Sequence, residues 1–97
     1  MLDELPVTNH ARQRMRERNV APLVLEWLLT YGDSERSGDG THIHFFSKES
    51  RRRLATDVGE QLVSRLGKLL DVYAVVAETG VVVTTGRRLR RIQRDRY

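Results

Sequence analysis

The chain has 97 residues, 39% hydrophobic and 31% charged, with a net charge of +4 and no cysteine. That length supports one modest core and not two, and a chain without thiols has neither a disulfide framework nor thiolate chemistry. No apolar run approaches the roughly 20 residues of a membrane span, and the acidic start, Met1 to Glu4, lacks the basic and apolar regions of a secretory signal, so a cytoplasmic protein is expected.

After an extended lead-in at Leu5-Pro6-Val7, Thr8 or Asn9 offers a side-chain oxygen to cap a helix over His10 to Arg18. Ala11 and Met15, with the stem of Arg18, form its apolar line. Asn19 suits a left-handed C-terminal position. A second helix is expected from Pro22 at its first position, with Val20 and Leu25 spaced for a hydrophobic staple. Val24, Leu25, Trp27, Leu28 and Tyr31 give it a broad apolar face, and Gly32 ends it. Residues 32–40 read as a polar, mobile loop.

Thr41 to Ser47 reads as a strand, with His42, His44 and Phe46 on one side and Ile43 and Phe45 on the other. Helical patterning then runs from Lys48 to Leu70 along a stripe of Leu54, Val58, Leu62, Leu66, Leu69 and Leu70, with a break near Asp57. Val72 to Glu78 and Val81 to Arg88 are two strands joined at Thr79-Gly80. The first is apolar on both sides and is expected to be central, so that Val75→Asp should unfold the domain. The order predicts one α+β domain over residues 1–97, with a small antiparallel sheet of three or four strands. Two helices precede the sheet and a helical insertion separates the first two strands of this reading.

Charge is unevenly placed. Six arginines against Asp95 give residues 87–97 a charge of +5, more than that of the whole chain. Residues 89–97 therefore read as a basic C-terminal tail. Only Lys48 and Lys68 are lysines, and the planar arginine fork suits phosphate better than a point charge does. An anionic partner such as RNA fits this surface; so does a solvated tail.

Four groups of residues bear on chemistry. His10, Arg14 and Arg18 recur every fourth residue and share one edge of the first helix. A neutral imidazole there can serve as a general base; the plainer reading is a polar helix face. Thr84, Gly86 and Arg88 share one side of the last strand, a hydroxyl and a guanidinium on either side of a residue with no side chain, which suits a phosphate cradle; the plainer reading is a strand-forming threonine and solvated arginines. Thr85 and Arg87 share the other side. Arg51-Arg52-Arg53 stands at the start of the third helix, where cations oppose the helix dipole and an anionic partner would relieve them; a solvated face fits the run equally well. His42 and His44 are spaced as two metal ligands, but nothing in the sequence fixes a third, so no metal and no cofactor are expected.

Taken together, several segments resemble a family of small bacterial proteins known as domain of unknown function 4258. They are His10-Ala11 with Arg14, Met15 and Arg18; Phe45-Phe46-Ser47-Lys48 running into Ser50-Arg51-Arg52-Arg53-Leu54; Asp71 to Val76; and Val82 to Arg88 with Arg91 and Ile92. That family is similar to the RelE/ParE-like and barnase-like ribonuclease toxins. The resemblance implies a RelE-like fold, metal-independent RNA cleavage by His10, Arg14, Thr84 and Arg88, and a cognate antitoxin as protein partner. RNA contacts are then expected from Arg18, Arg51, Arg52, Arg87, Arg90, Arg91 and Arg94. The same arginines equally suit a non-catalytic nucleic-acid-binding module, or a protein-interaction domain whose basic tail binds an acidic partner.

Overall fold

The computed structural model describes residues 5–88. In chain order they form α1 (Asn9–Glu17), α2 (Pro22–Tyr31), β1 (Asp33–Arg36), β2 (Thr41–Phe45), α3 (Lys48–Val58), α4 (Glu60–Leu66), a 3-10 turn (Gly67–Leu70), β3 (Val72–Ala77) and β4 (Val82–Arg87). This is a mixed α+β fold with one antiparallel sheet in the order β1-β2-β3-β4. The helical insertion expected before the Val72 strand lies there, between β2 and β3.

The first helix is fastened to the sheet at its cap. Thr8 Oγ1 accepts from the Ala11 N–H at 3.0 Å, satisfying one of the unpaired donors of the first turn. The same hydroxyl donates to the Val83 carbonyl at 3.3 Å, and the Thr8 N–H donates to the Val82 carbonyl at 3.0 Å. Val82 in turn donates to the Pro6 carbonyl at 2.7 Å, and Val7 bridges Val82 in parallel. The lead-in therefore lies along the outer edge of β4 and delivers α1 beside that strand. Asn19 takes the expected left-handed conformation at φ 56°, and α2 begins at Pro22.

Strand register separates the two faces of the sheet. Val72, Ala74, Val76, Val82 and Thr85 share one face, with His42 and His44. Ala11, Met15, Val24, Leu25, Leu28, Phe46, Leu54 and Leu70 pack with these valines and Ala74 in one core, so the helices cover this side. Thr41, Ile43, Phe45, Tyr73, Val75, Ala77, Thr84 and Gly86 share the other. β3 is interior, as expected. Val75, however, is only partly buried whereas Val76 is 7% exposed, so the residue that should not tolerate a charge is Val76.

Two expectations are corrected. Residues 33–36 are a strand rather than part of a mobile loop. β1 pairs with β2 from Asp33↔Phe45 to Arg36↔His42, and Asp33 is held by Ser47 Oγ and, at 3.1 Å, by Arg53. The long helix is also three pieces. Gly59, at φ 105°, ends α3 after Val58, and Gly67, at φ 44°, ends α4. Both conformations are costly for residues with a Cβ. The stripe is thereby cut: Leu54 and Leu70 are fully buried, whereas Leu62 and Leu69 are about two-fifths exposed. The break expected near Asp57 is present and falls at Gly59; Asp57 itself accepts a hydrogen bond from Tyr31 Oη at 2.6 Å.

Candidate nucleic-acid interface

The α1 row begins with His10, which is exposed. Arg14 Nε donates to His10 Nε2 at 3.4 Å, a long contact, and Arg14 Nη1 pairs with Glu17 at 3.0 Å. Glu17 also accepts from Gln13 at 2.8 Å. That hydrogen bond, with the charges of Arg14 and Arg18 acting against desolvation, holds the Glu17 carboxyl below its ordinary range. Arg14 is therefore a shared cation, held between Glu17 and the His10 imidazole on its own helix. Glu17 is the partner that the basic spacing of the sequence obscured.

The β4 residues stand where strand alternation places them. Thr84 and Gly86 lie on the face without the core helices, opposite Val75 and Tyr73. Arg88 follows the strand: its guanidinium carbon sits 5.3 Å from the centroid of the Phe45 ring, on that same face. Its Nη1 donates to the Phe46 carbonyl at 3.2 Å and its backbone N–H to the Asp71 carbonyl at 2.8 Å. The aromatic ring and two carbonyls thus fix a partly buried cation at this end of the sheet. Thr85, by contrast, is fully buried and donates to the Tyr73 carbonyl at 2.6 Å, which satisfies a hydroxyl that would otherwise be costly there.

Arg18 joins the two groups. It is the last member of the α1 row, and its Nη1 lies over Gly86, beside the Tyr73 hydroxyl. Of the helix row, Arg18 thus reaches the strand face at the Gly86 end of β4, whereas the start of α1 is bonded at Val82 and Val83. Among the described residues, no hydrogen bond joins His10 or Arg14 to Thr84. Tyr73 was missed in the sequence because it reads as one more strand residue; its pairing with Gly86 becomes visible only through the β3–β4 register.

The other arginines have varied surroundings. Arg51 pairs with Asp71 at 2.6 Å and approaches the Gly67 carbonyl at 3.4 Å, clamping α3 to the start of β3. Arg53 bonds Asp33 and the Tyr31 carbonyl. Arg87 donates to the carbonyls of Lys68 and Asn19. Arg52 is exposed. The expected contacts at Arg90, Arg91 and Arg94, and the tail 89–97 as a whole, lie outside the described residues.

His42 and His44 are on the helix-covered face of β2, paired with Val76 and Ala74, while His10 is on α1 beside β4. Among the described residues, no three His, Cys, Asp or Glu side chains gather as a metal site. Burial, then the neighbouring His42, pushes the His44 pKa below its ordinary value, and its buried Nδ1 has no hydrogen-bond partner among the described residues.

What fold and site define together is an α+β domain whose helices cover one sheet face, with arginines and hydroxyls gathered on the other at the end of β4. Comparison with protein-family models, with curated proteins and with solved structures returned no match to this chain. Among the described residues no helix is long and apolar enough to cross a membrane.

Proposed function

We propose that the domain binds RNA on the β4 side of the sheet and cleaves its backbone without a metal, in the manner that the resemblance to domain of unknown function 4258 and the RelE/ParE-like toxins implies. The observation that supports this best is Arg18 Nη1 over Gly86, which brings the last member of the α1 row to the sheet face that carries Thr84. In this reading the ribose 2′-oxygen attacks the adjacent phosphorus and the P–O5′ bond breaks, the departing 5′-oxygen taking a proton from solvent. His10 accepts the 2′ proton. Arg14 and Arg88 stabilise charge on the phosphoryl oxygens, and Thr84 orients the phosphate. An antitoxin, the protein partner in this reading, would inhibit by presenting carboxylates to the same cations.

Labelled RNA incubated with the protein in EDTA tests the reading. Fragments ending in 2′,3′-cyclic phosphate are expected. His10→Ala should abolish them while leaving RNA affinity largely intact, because a base acts in the transition state rather than in ground-state binding. Cleavage unaffected by His10→Ala would overturn the assignment of the base. RNA bound but never cut would leave a binding module.

A further inference from the structure

We infer that the Tyr73 hydroxyl and the Arg18 guanidinium, converging over Gly86, form a subsite for a phosphoryl oxyanion. A Cβ placed on Gly86 would stand 2.8 Å from Tyr73 Oη, 2.9 Å from Arg18 Nη1 and 3.0 Å from Tyr73 Cε2. Gly86 is not among the residues of positive φ, so conformational freedom does not explain the glycine. Space does: any other residue would push the phenol and the guanidinium off the strand.

The two groups come from separate elements, β3 and the end of α1, and can be no farther apart than the sum of their distances to that one point. Both residues are partly buried. Neither side chain makes a hydrogen bond or ion pair among the described residues, although the Glu17 charge is felt by Arg18 at longer range. Nor is the contact a stacking one. Among the described residues the cation over an aromatic ring is Arg88 over Phe45, whereas Arg18 Nη1 and Tyr73 Oη are brought near each other by their shared approach to Gly86. Two partly desolvated donors near one point, one of them charged, have no side-chain acceptor among the described residues. Guanidinium and phenol together match the several oxygens of a phosphate better than a single carbonyl would. Thr84 lies on the same face two residues along, ready to receive the next polar group of the ligand. The subsite rests on the RNA reading for the polymer that bears the phosphate, and not for the oxyanion itself.

The test is an NMR titration of the isotopically labelled full chain, following the Gly86 amide and the Arg18 side-chain N–H. Inorganic phosphate, acetate and a dinucleoside phosphate with a 2′-O-methyl block are the three probes. Saturable shifts at both reporters with phosphate are expected. Tyr73→Phe keeps the ring and should weaken phosphate binding about tenfold, the effect of one hydrogen bond to a charged group. Arg18→Gln should abolish binding, and Arg18→Lys should restore only part of it, because charge returns without the fork. Folded Tyr73→Phe and Arg18→Gln proteins that bind phosphate like the parent would overturn the subsite, as would acetate binding equal to phosphate. Tighter binding of the dinucleotide supports a nucleic-acid source. Phosphate bound at these reporters with the dinucleotide ignored supports the subsite and rejects RNA as its ligand.

Discussion

Gly32 closes α2 with φ −67° and ψ 165°, a backbone that any residue adopts, so replacing it by alanine tests space alone. The added Cβ would stand 2.6 Å from the Leu28 carbonyl oxygen, 2.8 Å from Leu28 Cδ1 and 2.9 Å from the Phe45 carbonyl oxygen. Two of these are backbone atoms, and Leu28 is fully buried, so no flexible side-chain end can yield. Overpacking of this kind costs about 1–3 kcal/mol. The smaller entropy of an unfolded alanine returns about 0.4–1 kcal/mol. A net loss of roughly 1–2 kcal/mol corresponds, for a domain of this size, to a Tm lowered by roughly 5–15 °C. Thermal unfolding followed by circular dichroism, with a urea series to confirm an unchanged m-value, measures it. Gly38→Ala is the control, since nothing lies within 4 Å of its Cβ position; its Tm should hold or rise. A Gly32→Ala protein as stable as the parent would refute the close packing of α2 against β2.

Other perturbations read the remaining features. Val76→Asp should prevent folding, because an unpaired charge among core residues costs several kcal/mol, while Val75→Asp on the opposite face should leave a cooperative transition; comparing their soluble yields and melts checks this. The His44 pKa lies below its ordinary 6.5, so the unfolded chain binds the proton more readily. Stability should therefore fall as pH drops from about 6.5 through the folded value, and His44→Asn should flatten that dependence in urea titrations across the window. Deleting residues 89–97 should weaken RNA binding and reduce its log–log salt slope by about 0.7 for each phosphate that the tail neutralises; an unchanged slope would remove the tail from the electrostatic anchor.

Local signals in the sequence located most of the fold. The Thr8 cap, Asn19 in the left-handed region, Pro22 opening α2 and the alternation of the last two strands are short-range chemistry, legible without knowing what packs where. β1 was not legible, because Asp33, Ser34, Glu35 and Arg36 have no apolar alternation. Their strand exists through pairing with β2 and through the hold of Ser47 and Arg53 on Asp33. The insertion was half legible. Its leucines keep helical spacing, but two glycines in left-handed conformations decide where the helix stops. At the candidate site, the periodic row His10, Arg14, Arg18 and the alternation of Thr84 and Gly86 could be read in advance. The Glu17 pair and the approach of Tyr73 to Gly86 could not, because both depend on which neighbours the rotamers and the register select.

The way the lead-in lies along β4 matters for how copies of this chain behave in a crowded solution. A sheet with an unpaired border strand is a template for adding strands from other molecules. Here Pro6, Val7 and Thr8 occupy the β4 border, bonded to Val82 and Val83. The opposite border is β1, only four residues long, with Asp33, Glu35 and Arg36 among them. One border is sheathed by the chain's own lead-in, and the other is short and charged. Strand-by-strand growth into fibres is thereby discouraged at both ends. Losing Pro6, Val7 and Thr8 would uncover the β4 border at Val82 and Val83 and expose a valine-rich stretch to its neighbours.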